Sequence, residues 1–251
     1  MSKKVMIVSG GASGLGLAAA VKFAKNGYDI VLIDINEEKG QKAEQEIKAL
    51  GQDAIFCLCD ISNNEQIRKA AEVCKQKFGR ADVLINNAGL EIRGSILQCD
   101  EAEWERTFDT NLRGIYYMAK AFVPMIMEQG GGAVINTGSI LGYRTLGERA
   151  AYSSSKGAID TLTRTMAFDL AGENIRVNCV APGAIDTPLL RGSINGSPDP
   201  EATEKYISSK SVFNRMGTPA EVANVMYFLA SDEASFVTGA TYFVDGGWSI
   251  L

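Results

Sequence analysis

Residues 5–35 read VMIVSGGASGLGLAAAVKFAKNGYDIVLIDI. The run begins with a short continuous apolar stretch, VMIVSG, as expected of a strand buried on both faces. Glycines follow, then a segment of helical periodicity that Gly27 closes as a cap, and then YDIVLIDI, a second buried strand. Strand, helix and strand within about thirty residues is the unit from which parallel sheets are built.

The rhythm repeats along the chain. EEKGQKAEQEIKALG (37–51) is an amphipathic helix and AIFCLCD (54–60) a strand; helix 63–79 leads to strand DVLINNAG (82–89). Residues 101–129 read as one long helix before strand GAVINTGSI (132–140). Residues 150–172 form another long helix, followed by strand IRVNCVAPG (175–183), helix 219–231 and strand TYFVDGG (241–247). Seven strands alternating with helices predict a doubly wound α/β fold, a parallel sheet covered on both faces. No repeat or linker divides the chain, so residues 1–251 are expected to form one domain. The irregular segment 188–218, with one short helix near 200–210, is long enough to be a substrate lid or binding loop, or a plain surface excursion.

Composition excludes several classes. The net charge is −5, with 46% hydrophobic and 22% charged residues, so nothing suggests a nucleic-acid or anionic-membrane partner. The opening MSKKVMIVSGG has too few apolar residues for a signal-peptide core, and no run reaches membrane-span length, which predicts a cytoplasmic protein. The cysteine count is odd (57, 59, 74, 99, 179) and no CxxC pair occurs, so reduced structural thiols are expected. The chain has no histidine, which removes the commonest metal ligand and the commonest general base. No metal site is expected, and any proton transfer must use Tyr, Lys, Ser, Asp or Glu.

Two constellations carry chemistry. The first is S9-G10-G11-A12-S13-G14-L15-G16, between the first strand and the first helix. Its glycines, Gly10, Gly14 and Gly16, allow a tight turn and close approach of a pyrophosphate, which the free N–H groups of the helix start can bind. Asp34 ends the second strand, eighteen residues past Gly16, where a carboxylate accepts hydrogen bonds from ribose hydroxyls and repels a 2′-phosphate. With Ser13 before Gly14 and no base at 35 or 36, the pattern predicts NAD rather than NADP. The alternative is a glycine-rich turn beside a solvated Asp.

The second is AYSSSKG (151–157), where Tyr152 and Lys156 are i and i+4 and share one helix face. A free phenol, with a pKa of about 10, is a poor base at neutral pH. A neighbouring ammonium can lower that value and make tyrosine a usable acid or base. Ser139, at a strand end, can hold a substrate oxygen, and Asn111 is a polar residue in a largely apolar helix. Each also has a plain structural reading: a helix face, a turn, a helix surface.

Taken together and in order, these motifs resemble the short-chain dehydrogenase/reductase family, over essentially the whole chain. The matching residues are Ser9-Gly10 to Gly16, Asp60-Ile61, Asn86-Asn87-Ala88-Gly89, the set Asn111, Ser139, Tyr152 and Lys156, then Pro182-Gly183-Ala184-Ile185-Asp186-Thr187, and the terminal VTGATYFVDGG. Two small departures are Ser9 for the usual Thr, and Gly138 where a Ser often precedes the catalytic Ser. The resemblance implies a Rossmann-type fold binding NAD through Gly10, Ser13, Gly14, Leu15, Gly16, Asp34, Asp60, Ile61, Asn87, Ala88 and Gly89. Tyr152 is implied as general acid/base, Lys156 as the group that lowers its pKa and binds the nicotinamide ribose, and Ser139 as the substrate anchor. Asn111 is implied to hold a relay water, and Pro182, Gly183, Ile185 and Thr187 to form the nicotinamide loop.

The implied activity is reversible hydride transfer at a secondary alcohol, cyclic, steroid or sugar-like, by a homotetramer. Alternatives are a 3-oxoacyl carrier-protein reductase, against which Asp34 argues, and a non-catalytic NAD-binding regulator, which would not need the Tyr/Lys/Ser/Asn set. An epimerase of the family's extended branch fits poorly in length and glycine spacing. Substrate contacts are expected from 188–218, from LEIRGS (90–95) with Arg93, and from 140–150 with Tyr143, Arg144, Glu148 and Arg149, unless these arginines are merely surface groups.

Overall fold

A computed structural model describes residues 3–251. The seven strands are β1 (Val5–Ser9), β2 (Asp29–Asp34), β3 (Ala54–Leu58), β4 (Val83–Asn86), β5 (Gly132–Thr137), β6 (Ile175–Pro182) and β7 (Thr241–Val244). All neighbouring pairs are parallel, in the order β3-β2-β1-β4-β5-β6-β7. The strand order reverses between β1 and β4, and a crevice opens at the carboxyl ends of the strands on either side of such a switch point.

Alternation along each strand divides the core in two. Met6, Val8, Ile30, Leu32, Ile85 and Ile135 face one side, packed against α1 (Gly14–Ala24), α2 (Glu37–Ala49) and α9 (Pro219–Ala230). Val5, Ile7, Val31, Ile33, Leu84 and Val134 face the other, against α3 (Asn64–Phe78), α5 (Gly114–Met127) and α6 (Ala150–Leu170). With both faces covered, the strands can be continuously apolar, which is why VMIVS and DIVLID carry so little polar alternation. A buried polar chain crosses the centre: Asn86 Nδ2 donates to Asn136 Oδ1 (2.8 Å), and Asn136 Nδ2 to Thr163 Oγ1 (3.0 Å) on α6. Asn86 therefore ties β4 to β5 through its amide nitrogen, while its buried Oδ1 has no hydrogen-bond partner among the described residues.

Three segments depart from the sequence expectation. The long helix at 101–129 is interrupted: α4 (Glu101–Phe108) passes into a π-helical turn, Asp109–Arg113, before α5. Side-chain periodicity hardly changes across one wider turn, so pattern reading sees a single helix. The segment 188–218 holds two helices, α7 (Pro188–Asn195) and α8 (Pro200–Ser208). They are tied by Arg191 to Asp186 (2.6 Å) and to Glu204 (2.8 Å). Finally, β4 ends at Asn86 and β5 at Thr137, so Asn87-Ala88-Gly89 and Ser139 lie in the loops beyond the strand ends. Those loops rim the crevice. All five cysteines are free thiols, four of them buried and Cys99 partly so. Among the described residues no helix is long and apolar enough to cross a membrane.

Candidate active site

The end of β1 and the loop after β4 are fastened to each other. Ser9 Oγ accepts from the N–H groups of Asn87 (3.0 Å) and Ala88 (3.1 Å). Asn87 Nδ2 donates to the carbonyls of Ser9 (3.1 Å) and Gly10 (3.3 Å). The hydroxyl that Ser shares with Thr is what this joint needs. Gly10 sits at φ +67°, and a Cβ there would lie 2.9 Å from Ala88 Cα. A Cβ on Gly16 would overlap the Gly10 carbonyl. Both glycines are required by close approach of backbone.

The start of α1 is built to bind an anion. Ser13 is its N-cap but makes no side-chain cap, and no acidic residue occupies the first turn. By contrast, α2, α3, α4, α7, α8 and α9 are all capped by Asn, Asp or Thr side chains. The first N–H groups of α1 thus keep their donors for a ligand, at the positive end of the helix dipole.

A cavity of about 860 Å³ runs from this loop across the switch point to the N-terminal end of α6. Gly10, Ser13, Gly14 and Leu15 line it together with Asp34, Asp60 and Ile61 on one side, and Asn87, Ala88 and Gly89 at its centre. Ser139, Tyr152 and Lys156 come next, followed by Pro182, Gly183, Ile185 and Thr187. Of the expected residues, Gly16 and Asn111 do not line it. Gly16 packs beneath the Gly10 carbonyl. Asn111 is fully buried in the π-helical turn. Its Oδ1 accepts from Leu90 N (2.9 Å), and its Nδ2 donates to Leu90 O (3.0 Å) and Ser155 Oγ (3.0 Å). Ser155 in turn donates to the Tyr152 carbonyl (2.8 Å). Asn111 therefore fastens the loop after Gly89 to the helix of Tyr152, with Ser155 as a link in that joint.

Asp34 stands at the tip of β2 with both oxygens oriented, Oδ2 accepting from Ala12 N and Oδ1 from Asn36 N, each at 3.0 Å. The cradle thus fits a dinucleotide: free helix N–H groups for phosphates, Asp34 for a ribose, and glycines wherever a side chain would fill the floor.

At the other end, Lys156 Nζ donates to the Thr137 carbonyl (2.8 Å) and lies 5.8 Å from the Tyr152 ring centroid. A Cβ on Gly89 would come within 3.4 Å of Nζ and 3.2 Å of Asn111 Oδ1, so glycine there keeps the space open. Ser139 caps a short 3₁₀ turn through Leu141 N (3.1 Å), and its hydroxyl lines the cavity together with the Tyr152 phenol. Burial pushes the phenol up to about 12; Glu91 adds to this, while Ser139 and Arg149 oppose it. Burial also brings the Lys156 ammonium down to about 8, opposed by Cys179. The sequence expectation was a phenol lowered by its lysine neighbour. In the structure, desolvation dominates both groups, and the neighbours that act on the phenol are Glu91, Ser139 and Arg149. Gly138 has a local cause: a Cβ there would lie 2.8 Å from Cys179 Sγ, so Cys179 fills the space a side chain would take.

The arginines expected near substrate separate. Arg149 lines the cavity in an ion pair with Glu91, and Arg93 lines it while bonding Ser193 on α7. Arg144 turns away to the Ser249 carbonyl (2.5 Å), and Tyr143 to Asp160 (2.6 Å). Trp248, Leu146, Leu190 and Ile207 complete the wall. Leu146, Leu190 and Ile207 fall within the segments expected to contact substrate without being named there, and Trp248 lies outside them, because a single apolar residue carries no signal until the chain folds it over a cavity.

The chain is similar to known proteins over nearly its whole length. A family model described as enoyl-(acyl carrier protein) reductase matches residues 10–249. The dehydrogenase/reductase SDR family member 6 of Aquarana catesbeiana is 40% identical, over 98% of both chains. The NAD⁺-bound xylitol dehydrogenase structure superposes with a TM-score of 0.92 at 32% identity, covering 97% of this chain and 98% of that one. L-Sorbose reductase from Gluconobacter frateurii, complexed with NADPH and L-sorbose, gives 0.95 at 30% identity, covering 100% and 98%.

Proposed function

The chain belongs to the short-chain dehydrogenase/reductase family and is an oxidoreductase of it, and from that premise we propose that it carries hydride between NAD and a secondary alcohol or its ketone, with Tyr152 as general acid/base. One observation carries the reading. Tyr152, Ser139 and Lys156 stand on the wall of the same cavity whose other end is the glycine cradle at the β1/β4 switch point. A nicotinamide dinucleotide held there supplies the hydride chemistry. The chain supplies the rest. Ser139 and the Tyr152 hydroxyl hold the substrate oxygen, and Tyr152 moves the proton at that oxygen. Lys156, fixed by the Thr137 carbonyl, holds its ammonium 5.8 Å from the Tyr152 ring centroid and would bind the nicotinamide ribose, while Asn111, outside the cavity, steadies the loop at Leu90 and the helix of Tyr152.

Asp34 supports NAD over NADP, since the residues after it, Ile35 and Asn36, offer no positive charge to a 2′-phosphate. The substrate end is mostly apolar, with Leu146, Leu190, Ile207 and Trp248 around a few polar groups. That mixture supports a cyclic secondary alcohol, including hydroxysteroid or sugar-like compounds. The test is fluorescence titration with NADH and NADPH, followed by turnover of cyclic alcohols, steroids and polyols with the tighter cofactor. Turnover of none of them, or tighter NADPH binding, would overturn the reading.

The directions of the two perturbed groups predict a pH dependence. A phenol held up near 12 keeps its proton at neutral pH and is ready to donate it to a ketone. Alcohol oxidation needs the phenolate, whose fraction rises about tenfold per pH unit below the group's pKa. Oxidation is therefore expected to climb through pH 7–9 while reduction stays level. An oxidation rate flat across that range would contradict the acid/base assignment.

The homotetramer reading rests on apolar surface. Phe168 on α6 is 87% exposed and Phe236 wholly so, and Ile250 and Leu251 are also exposed. Such residues suit faces covered by further copies of the chain. Light scattering is expected to give four chain masses, and a monomer would sink this part. Five free thiols suit the reducing cytoplasm.

A further inference from the structure

Tyr152 shares its cavity wall with a charge pair that neither the cradle nor the proton donor set explains. Two loops far apart in sequence bring the pair together. Gly94 N donates to the Glu148 carbonyl (3.1 Å), and Ala150 N to the Gly94 carbonyl (3.2 Å), making a parallel bridge between Gly94 and Arg149. Glu148 is held at φ +60°, an uncommon conformation for a residue with a Cβ. Arg149 is the N-cap residue of α6, three positions before Tyr152. Its guanidinium donates to the Glu148 carbonyl (2.9 Å) and pairs through Nε with Glu91, and both side chains are largely buried. The backbone bridge and the ion pair thus hold one carboxylate and one guanidinium on the wall of the cavity that Tyr152 also lines.

We propose that Glu91 and Arg149 form a charge-setting pair for Tyr152. Glu91 holds Arg149 in place, and Arg149 neutralises a carboxylate that would otherwise keep the proton on the phenol. The proposal rests on the reading of Tyr152 as acid/base, and the two are positioning residues, since they act through the tyrosine. Coulomb attraction in a poorly hydrated cavity is strong enough for such control. The field of each partner on the phenol has the required sign, Glu91 favouring the protonated form and Arg149 the ionised one.

Other groups act on the phenol alongside the pair. Lys156 keeps its positive charge while donating to the Thr137 carbonyl, with Nζ 5.8 Å from the Tyr152 ring centroid. Ser139 is uncharged, and the Cys179 thiol on β6 is buried, its ionisation pushed up to about 11 mainly by burial. Arg93 bonds Ser193, and Asp109 on the π-helical turn pairs with Arg113 (2.5 Å).

The test is an NMR titration of the full chain carrying tyrosine labelled with ¹³C at ring Cζ, from pH 7 to 11. The Tyr152 signal is identified by its loss in Tyr152→Phe. Glu91→Gln is expected to lower the Tyr152 titration by about one pH unit, so that phenolate appears below pH 11 well ahead of wild type. Arg149→Gln is expected to shift it the other way, read as less phenolate at pH 11 than in wild type, and the double variant to return toward wild type. Glu91→Asp and Arg149→Lys keep the charges and are expected to follow wild type, which separates charge from packing. Superimposed curves for wild type and Glu91→Gln, or shifts of the same sign in both single variants, overturn the pair. An inactive Tyr152→Phe enzyme beside unshifted titrations would refute the pair alone. An active Tyr152→Phe enzyme beside shifted titrations would refute the acid/base reading and leave the pair standing.

Discussion

Tyr152→Phe is expected to lower turnover about 10³-fold, a loss in the range typical of a deleted general acid or base. NADH affinity and the folded state should be unchanged. Phenylalanine keeps the ring and its packing on α6 and removes only the hydroxyl. The neighbours have no means of replacing it. There is no histidine in the chain. Lys156 Nζ is committed to the Thr137 carbonyl at 2.8 Å, and Ser139 Oγ accepts from Leu141 N. Without the phenol, neither the proton given to a ketone nor the one taken from an alcohol has a carrier at the substrate oxygen. Steady-state turnover and NADH fluorescence titration on the same sample make the comparison. Near wild-type turnover in a folded variant would show that chemistry occurs elsewhere, or that the chain's role is to bind the dinucleotide only.

Asp34→Asn carries the second large effect. The substitution keeps the shape but leaves one acceptor oxygen for two backbone N–H groups, so one of the loop bonds from Ala12 N and Asn36 N is lost together with the charge. Hydrogen bonds to a charged group contribute about 1.5–3 kcal/mol, so NADH binding is expected to weaken about tenfold or somewhat more. NADPH is expected to gain a similar factor, because its 2′-phosphate no longer meets a carboxylate with no cation beside it. The ratio of the two dissociation constants should therefore move by about 100-fold. An unchanged ratio would mean that discrimination lies elsewhere in the cradle, and Asp34 would be a strand-end residue that orders its own loop.

Much of this site was legible before folding because its parts are local. A glycine at φ +67° and a helix start without a cap follow from a dozen consecutive residues around Gly10–Gly16. Tyr152 and Lys156 share a face because a helix repeats every 3.6 residues. Apolar runs such as VMIVS announce strands covered on both sides. The π-helical turn at Asn111 was not legible, since one extra residue in a turn barely alters side-chain spacing. Nor could the arginines be sorted: Arg144 and Arg149 are five residues apart in one loop, yet only Arg149 reaches the cavity.

The sequence by itself determined the strand–helix alternation, the glycine-rich turn with its acidic strand end, and the i, i+4 spacing of Tyr152 and Lys156. Each is written in neighbours along the chain, where backbone geometry is short-ranged. Only the tertiary structure decided what surrounds those groups. Asn111 closes on Leu90 and Ser155, Lys156 on Thr137, and Glu91 on Arg149, all across stretches that sequence periodicity does not connect. Proton affinities followed the same division. The tyrosine and lysine were evident, but burial, which pushes the phenol up to about 12 and the ammonium down to about 8, exists only once distant segments exclude water from them.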